Sequence, residues 1–115
     1  MRPETPAHLW DALEAGRKSR SLVVELGRAD YLGDWIRQAA AERQLEIIGE
    51  ALNRIRRDDP ATAERVPSIH AIIATRNIIV HRYDTVDHER VWAMIESDVP
   101  VLIQVLEALL AEVEA

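Results

Sequence analysis

The chain has 115 residues, 48% of them hydrophobic and 30% charged, with no cysteine, which fits one globular domain of ordinary size. That composition excludes disorder as the main state, a disulfide framework and a thiolate nucleophile; no apolar run nears the roughly 18 residues of a membrane span. Of the net charge of -6, residues 91–115 carry -5 and residues 1–90 only -1, so a broad duplex-binding surface is excluded while a small basic cleft is not.

The opening Met1-Arg2-Pro3-Glu4 has no apolar stretch behind it and does not read as a secretory signal, so a cytoplasmic location is expected. No segment alternates with period two, and the elements read as helices. The first helix is expected from Thr5 to Leu26, with Thr5 as N-cap, Pro6 in the first turn and Gly27 just past the end. The second is expected from Asp34 to Arg56, with Ile36, Ala40, Ile47, Ile48, Ala51, Leu52 and Ile55 at helical spacing. Asp58-Asp59-Pro60 ends it, and Ala61–Val66 reads as a short helical turn. Ser68 is expected to cap a third helix reaching about Val80. After a turn over residues 81–86, Asp87 caps a fourth helix that runs to near Glu114, bent or split by Pro100. The expected architecture is all-α: one domain over residues 1–115, an up-and-down bundle of four main helices plus a short helical turn.

The third helix departs from simple amphipathicity. With Ile69 as origin, Ile72, Ile73, Arg76 and Val80 fall within about 60° of it, which puts Arg76 inside an apolar stripe. Ile78 and Ile79 make the C-terminal half apolar nearly all round, so this helix is expected to be central. A guanidinium stays charged, and burying it unpaired is costly. Either a carboxylate meets Arg76, Glu50 being a candidate, or the stripe borders a solvated cleft at a subunit junction. Arg76 and His81 lie about 140° apart on a continuing helix. To converge, they need either a turn of the chain at His81 or a second copy.

The string Arg76-x-x-x-x-His81-x-Tyr83 resembles the signature of the HEPN superfamily, specifically its HepT-like toxin branch. Leu45-Glu-Ile-Ile-Gly-Glu50-Ala51 resembles that branch's Ile-Gly-Glu-Ala motif, and Pro67–His81 is similar to its proline-led entry into the Arg-Asn helix. The Val86-Asp87 turn leading to Trp92 and the run Asp98-Val-Pro100-Val-Leu102 resemble its last helix, while His70 stands where that branch carries Trp. The similarity covers the chain from about residue 31 onward. It implies a homodimer or higher assembly of helical bundles, metal-independent endoribonuclease activity without a cofactor, and toxin action. It also implies a nucleotidyltransferase antitoxin that transfers AMP to the motif tyrosine, here Tyr83.

The residues suit that chemistry. Histidine transfers protons near neutrality, so His81 is the candidate acid or base in attack of an RNA 2′-hydroxyl on the adjacent phosphate. Arg76 is the candidate stabiliser of the pentacoordinate phosphate, with Asn77 orienting the pair or contacting phosphate. Each group also has a bland alternative. Arg76 can be a structural ion pair, His81 can complement the helix dipole, and Tyr83 can cap the core. His81, Asp84 and His88 match no familiar zinc pattern. Trp10, Trp35 and Trp92 read as core or interface anchors, and Arg54, Arg56 and Arg57 as dipole complement or RNA contact. The alternative function is a non-catalytic module that binds nucleotide or docks a nucleotidyltransferase. A purely structural helical dimer is the third.

Overall fold

The computed structural model describes residues 1–114. The four long helices are α1 (Thr5–Val23), α3 (Trp35–Asp58), α5 (Ile69–His81) and α6 (His88–Glu114). Two short helices, α2 (Arg28–Leu32) and α4 (Pro60–Ala63), join them, and a single 3-10 turn spans Tyr83–Thr85. The all-α expectation holds, with one short helix more than anticipated.

Local differences from the sequence reading have physical causes. Thr5 does not cap α1: the N-cap is Glu4, and the buried Thr5 hydroxyl donates instead to Asp59 Oδ2 at 2.8 Å. Gly27 does not close α1, which stops at Val23; it is the N-cap of the unexpected α2. Asp34 does cap α3, its carboxylate accepting the Arg37 backbone N–H at 3.1 Å. Asp87 likewise accepts from the backbone of Glu89 and Arg90 at the start of α6. Ser68 sits at the N-cap of α5 in the left-handed region, at φ 59°, and its side chain makes no capping bond. Pro100 does not split the last helix. α6 passes through it, with Val99, Leu102, Leu106 and Leu109 buried on one face to offset the lost backbone bond.

The helices form an open antiparallel row in the order α6, α1, α3, α5, with α2 bridging α3 and α6. The row is a slab of 43 × 28 × 17 Å. Direction is set by ends that meet: Arg37 at the start of α3 donates to the Leu22 carbonyl near the end of α1. Arg20 near that same end pairs with Glu96 of α6, and Arg56 late in α3 reaches His70 early in α5. One connected apolar core runs through the slab, built on Leu9, Leu13, Leu45, Ile48, Leu52, Ile95 and Leu102. None of the helices among the described residues is long and apolar enough to cross a membrane.

Two polar clusters interrupt this core. Asp59 is 5% exposed, and its carboxylate accepts from the Arg2 backbone, from the Thr5 and Thr62 hydroxyls and from the Thr62 backbone, tying the start of α1 to α4. The Arg2 backbone N–H, followed by those hydroxyls, holds this carboxyl well below the usual range. At the other end of the slab, Glu42 of α3 faces His88 Nδ1 of α6 at 3.5 Å. Burial pushes the Glu42 carboxyl up, with His88 opposing, and pushes up the Tyr31 phenol beside it. The Tyr31 hydroxyl and Trp92 Nε1 are buried there without a hydrogen-bond partner.

Candidate active site

α5 is not central: it packs on α3 at the edge of the row and makes no comparable contact with α1 or α6. Its apolar character all round reflects one face buried on α3 and another left open. Ile69, Ile72, Ile73 and Ile79 are buried, whereas Ala71, Ala74 and Ile78 are exposed. Gly49 allows the approach of the two helices at the level of Arg76. A Cβ there would lie 2.3 Å from Arg76 Cβ and 2.6 Å from its Cγ. The run Ile48-Gly49-Glu50 thus seats Arg76 against α3 with a carboxylate beside the gap.

Arg76 is 20% exposed and meets the carboxylate that the apolar-stripe argument demanded. Its Nη2 donates to Glu50 Oε2 at 2.9 Å, and its Nη1 donates to Asn77 Oδ1 at 3.0 Å. The Nε is buried and has no hydrogen-bond partner. Glu50 is shared, since its Oε1 accepts from Arg54 Nε at 3.2 Å. Arg76 also borders a polar cleft of about 370 Å³ lined by His8, Asp11, Arg43, Glu46, Glu50 and Arg54. Arg76 thus has the expected carboxylate partner and also borders a cleft within its own chain.

His81 is the last residue of α5 and is exposed. The helix runs unbroken from Arg76 to His81, so the two point to sides about 140° apart, and His81 does not line Arg76's cleft. His81 shares the open face of α5 with Asn77 and Ile78, one and two turns from Ala74. Tyr83 lies in the 3-10 turn beyond it and is 80% exposed, so it does not cap the core.

The remaining candidates separate. Among the described residues no group of three or more His, Asp or Glu is arranged to hold a metal ion, and His88 faces Glu42 rather than His81. Trp92 packs against the core, while Trp10 and Trp35 are exposed. Arg54 pairs with Glu50, Arg56 with Asn53 and His70, and Arg57 with Asp58. The sequence reading missed His8. Its place in the cleft depends on how α1 lies on α3, and no local spacing signals that.

Comparison with known proteins decides the family. A family model described as "HepT-like: Ribonuclease HepT-like" matches residues 12–109. The chain belongs to the ribonuclease HepT-like family. The match takes in α1 from Ala12 onward, ahead of the region from residue 31 in which the sequence motifs lie. A Thermococcus cleftensis protein named "Probable ribonuclease HepT" is 32% identical over 95 residues, 83% of this chain and 86% of that one. The Methanocaldococcus jannaschii protein "Putative RNase MJ1380" is 28% identical over 99 residues, covering 84% and 88%. A second from that organism, "Putative RNase MJ0127", is 27% identical over 108 residues, covering 94% and 88%. No solved structure matches. This HepT-like chain is thus an all-α member of a ribonuclease family, with an arginine, a carboxylate and an amide clustered on α3 and α5.

Proposed function

We propose that this chain is the toxin of a toxin–antitoxin pair, a metal-independent endoribonuclease that works as a homodimer. The observation that carries the reading is the unbroken α5 between Arg76 and His81, with an open face of Ala74, Asn77, Ile78 and His81. One chain holds its arginine and imidazole apart. A second copy laid on the open face would bury Ala74 and Ile78 and gather both His81 imidazoles at one seam, on which Asn77, the partner of Arg76 Nη1, also lies. His81 then moves a proton to or from RNA, and Arg76 stabilises the charge of the pentacoordinate phosphate through its paired N–H groups. Asn77, bonded to Arg76 Nη1 at 3.0 Å, fixes the plane of the guanidinium.

Regulation falls on Tyr83. The phenol oxygen attacks the α-phosphorus of ATP on a nucleotidyltransferase antitoxin, pyrophosphate departs and the phenol proton is lost. An added adenylate places a negative charge and a base beside His81, repelling and occluding RNA. The 80% exposure of Tyr83 supports this, since the modifying enzyme needs the hydroxyl in the open. Cytoplasmic RNA is the expected substrate.

The test is cleavage of RNA by the purified chain with a chelator present. His81→Ala is expected to lose about 100-fold or more of the rate while remaining folded and dimeric. Equal cleavage by the variant removes His81 from the mechanism. Intact mass after co-expression with the cognate transferase should rise by one adenylate, and Tyr83→Phe should abolish the rise. A second reading, a module that binds a nucleotide or docks a transferase without cutting, draws on the near balance of charge in Arg76's cleft, where Asp11, Glu46 and Glu50 face Arg43, Arg54 and Arg76. RNA left intact by the wild-type chain would favour it.

A further inference from the structure

We propose that His8 is a second proton-transfer residue of the ribonuclease site, an inference that rests on the function proposed above. Strand cleavage without a metal moves two protons. The 2′-oxygen bonds to phosphorus as its proton leaves, the bond from phosphorus to O5′ breaks, and O5′ takes up a proton. A 2′,3′-cyclic phosphate and a 5′-hydroxyl result, and nothing is oxidised or reduced. Arg76 and the His81 of its own chain point apart, so the arginine's cleft needs an imidazole from elsewhere.

One is already present. His8, on the first turns of α1, lines the same cleft of about 370 Å³ as Arg76. It is half-buried, held by α1 against α3, and therefore on a rigid element rather than a loop. The Glu50 carboxylate is taken by Arg54 and Arg76, and the His8 ring enters no hydrogen bond or ion pair among the described residues. It is free to act on a ligand. The groups that face it are of both signs. Asp11 lies one turn along α1. Asp58 near the end of α3 interacts with it, and Arg43, Glu46, Glu50 and Arg54 of α3 and Arg76 of α5 line the same cleft. A phosphate drawn to Arg76 would enter the cleft that the His8 ring also lines. His8 then carries one of the two protons, and a partner's His81 carries the other.

The experiment follows RNA cleavage by the full chain from about pH 5 to 9, the range over which imidazole changes charge. His8→Asn keeps the size and polarity of the ring edge, and His8→Gln is the second variant should Asn perturb folding. The expected result is a fall in kcat of about 100-fold or more with KM little changed, and loss of one limb of the pH profile. A substrate with sulfur in place of the bridging O5′ needs no proton on its leaving group. Its cleavage at the wild-type rate by His8→Asn identifies His8 as the acid, and loss of the acidic limb without such rescue identifies it as the base. Either outcome supports the inference. A wild-type chain that cleaves while both His8 variants keep its rate and both limbs overturns the role of His8 and leaves Arg76 and His81 standing. A wild-type chain that leaves RNA intact overturns both.

Discussion

Replacing Gly49 by alanine tests the packing that seats the candidate arginine. The added methyl would lie 2.3 Å from Arg76 Cβ and 2.6 Å from Cγ. Carbon atoms rest at about 3.5–4.0 Å, so α5 must retreat from α3 by about 1.2 Å or more. Neither partner atom is the movable end of a side chain, because Cβ is fixed by the backbone of α5. Overpacking this deep belongs at the upper end of its usual cost, about 2–3 kcal/mol. Alanine's better helix propensity returns about 1 kcal/mol, leaving a net loss of about 1–2 kcal/mol. Gly27 supplies the opposite case: its φ is -72° and nothing lies within 4 Å of a Cβ built there. Gly27→Ala should therefore change stability by less than about 1 kcal/mol, the lower entropy of the unfolded chain being offset by alanine's poor fit as the N-cap of α2. Urea unfolding of both variants against wild type measures the two shifts. A Gly49→Ala midpoint equal to or above that of wild type would show that the helices do not approach as described, and the account of how Arg76 is held would fall with it.

Asp59 supplies a pH dependence. Its folded carboxyl titrates below the unfolded value of about 3.9, so its contribution is complete above that pH and is lost as pH falls below it. Asp59→Ala should cost about 3 kcal/mol at neutral pH, since it strands the Thr5 and Thr62 donors, and Asp59→Asn should flatten the acid limb of a stability–pH curve. An unchanged acid limb would refute the assignment. Tyr31→Phe removes a buried hydroxyl that has no partner, so thermal unfolding should show no loss or a gain of up to about 1 kcal/mol. A loss beyond about 1 kcal/mol would mean that the hydroxyl is bonded. Arg76→Lys keeps the charge but not the two-pronged donor edge that spans Glu50 and Asn77. Its RNA cleavage should fall about 100-fold with stability changed by less than about 1 kcal/mol, and undiminished cleavage would detach Arg76 from the chemistry.

The order of the helices could be read in advance because their signals are local. Apolar spacing marks α3, Asp34 and Asp87 cap as their positions suggest, and Pro60 ends α3 near where it stands. What escaped was decided by contacts distant in the chain. Thr5 looks like a cap until Asp59, 54 residues on, claims its hydroxyl. α5 looks central because its composition is that of a helix covered on all sides, yet among the described residues α3 is the one long helix that packs extensively on it. The site divides in the same way. Arg76 inside an apolar stripe demanded a carboxylate, and Glu50 answers that demand. The His8 ring reaches the same cleft through the lie of α1 on α3, which no spacing along the chain encodes.

The place of α5 at the margin of the row bears on how the protein comes apart. A helix fastened along a single seam can peel away while α6, α1 and α3 stay joined, so its amide protons should exchange with solvent sooner than those of its neighbours. Such peeling would carry Arg76 and Asn77 off Gly49 and Glu50 together, and would do so well before the rest of the molecule melts.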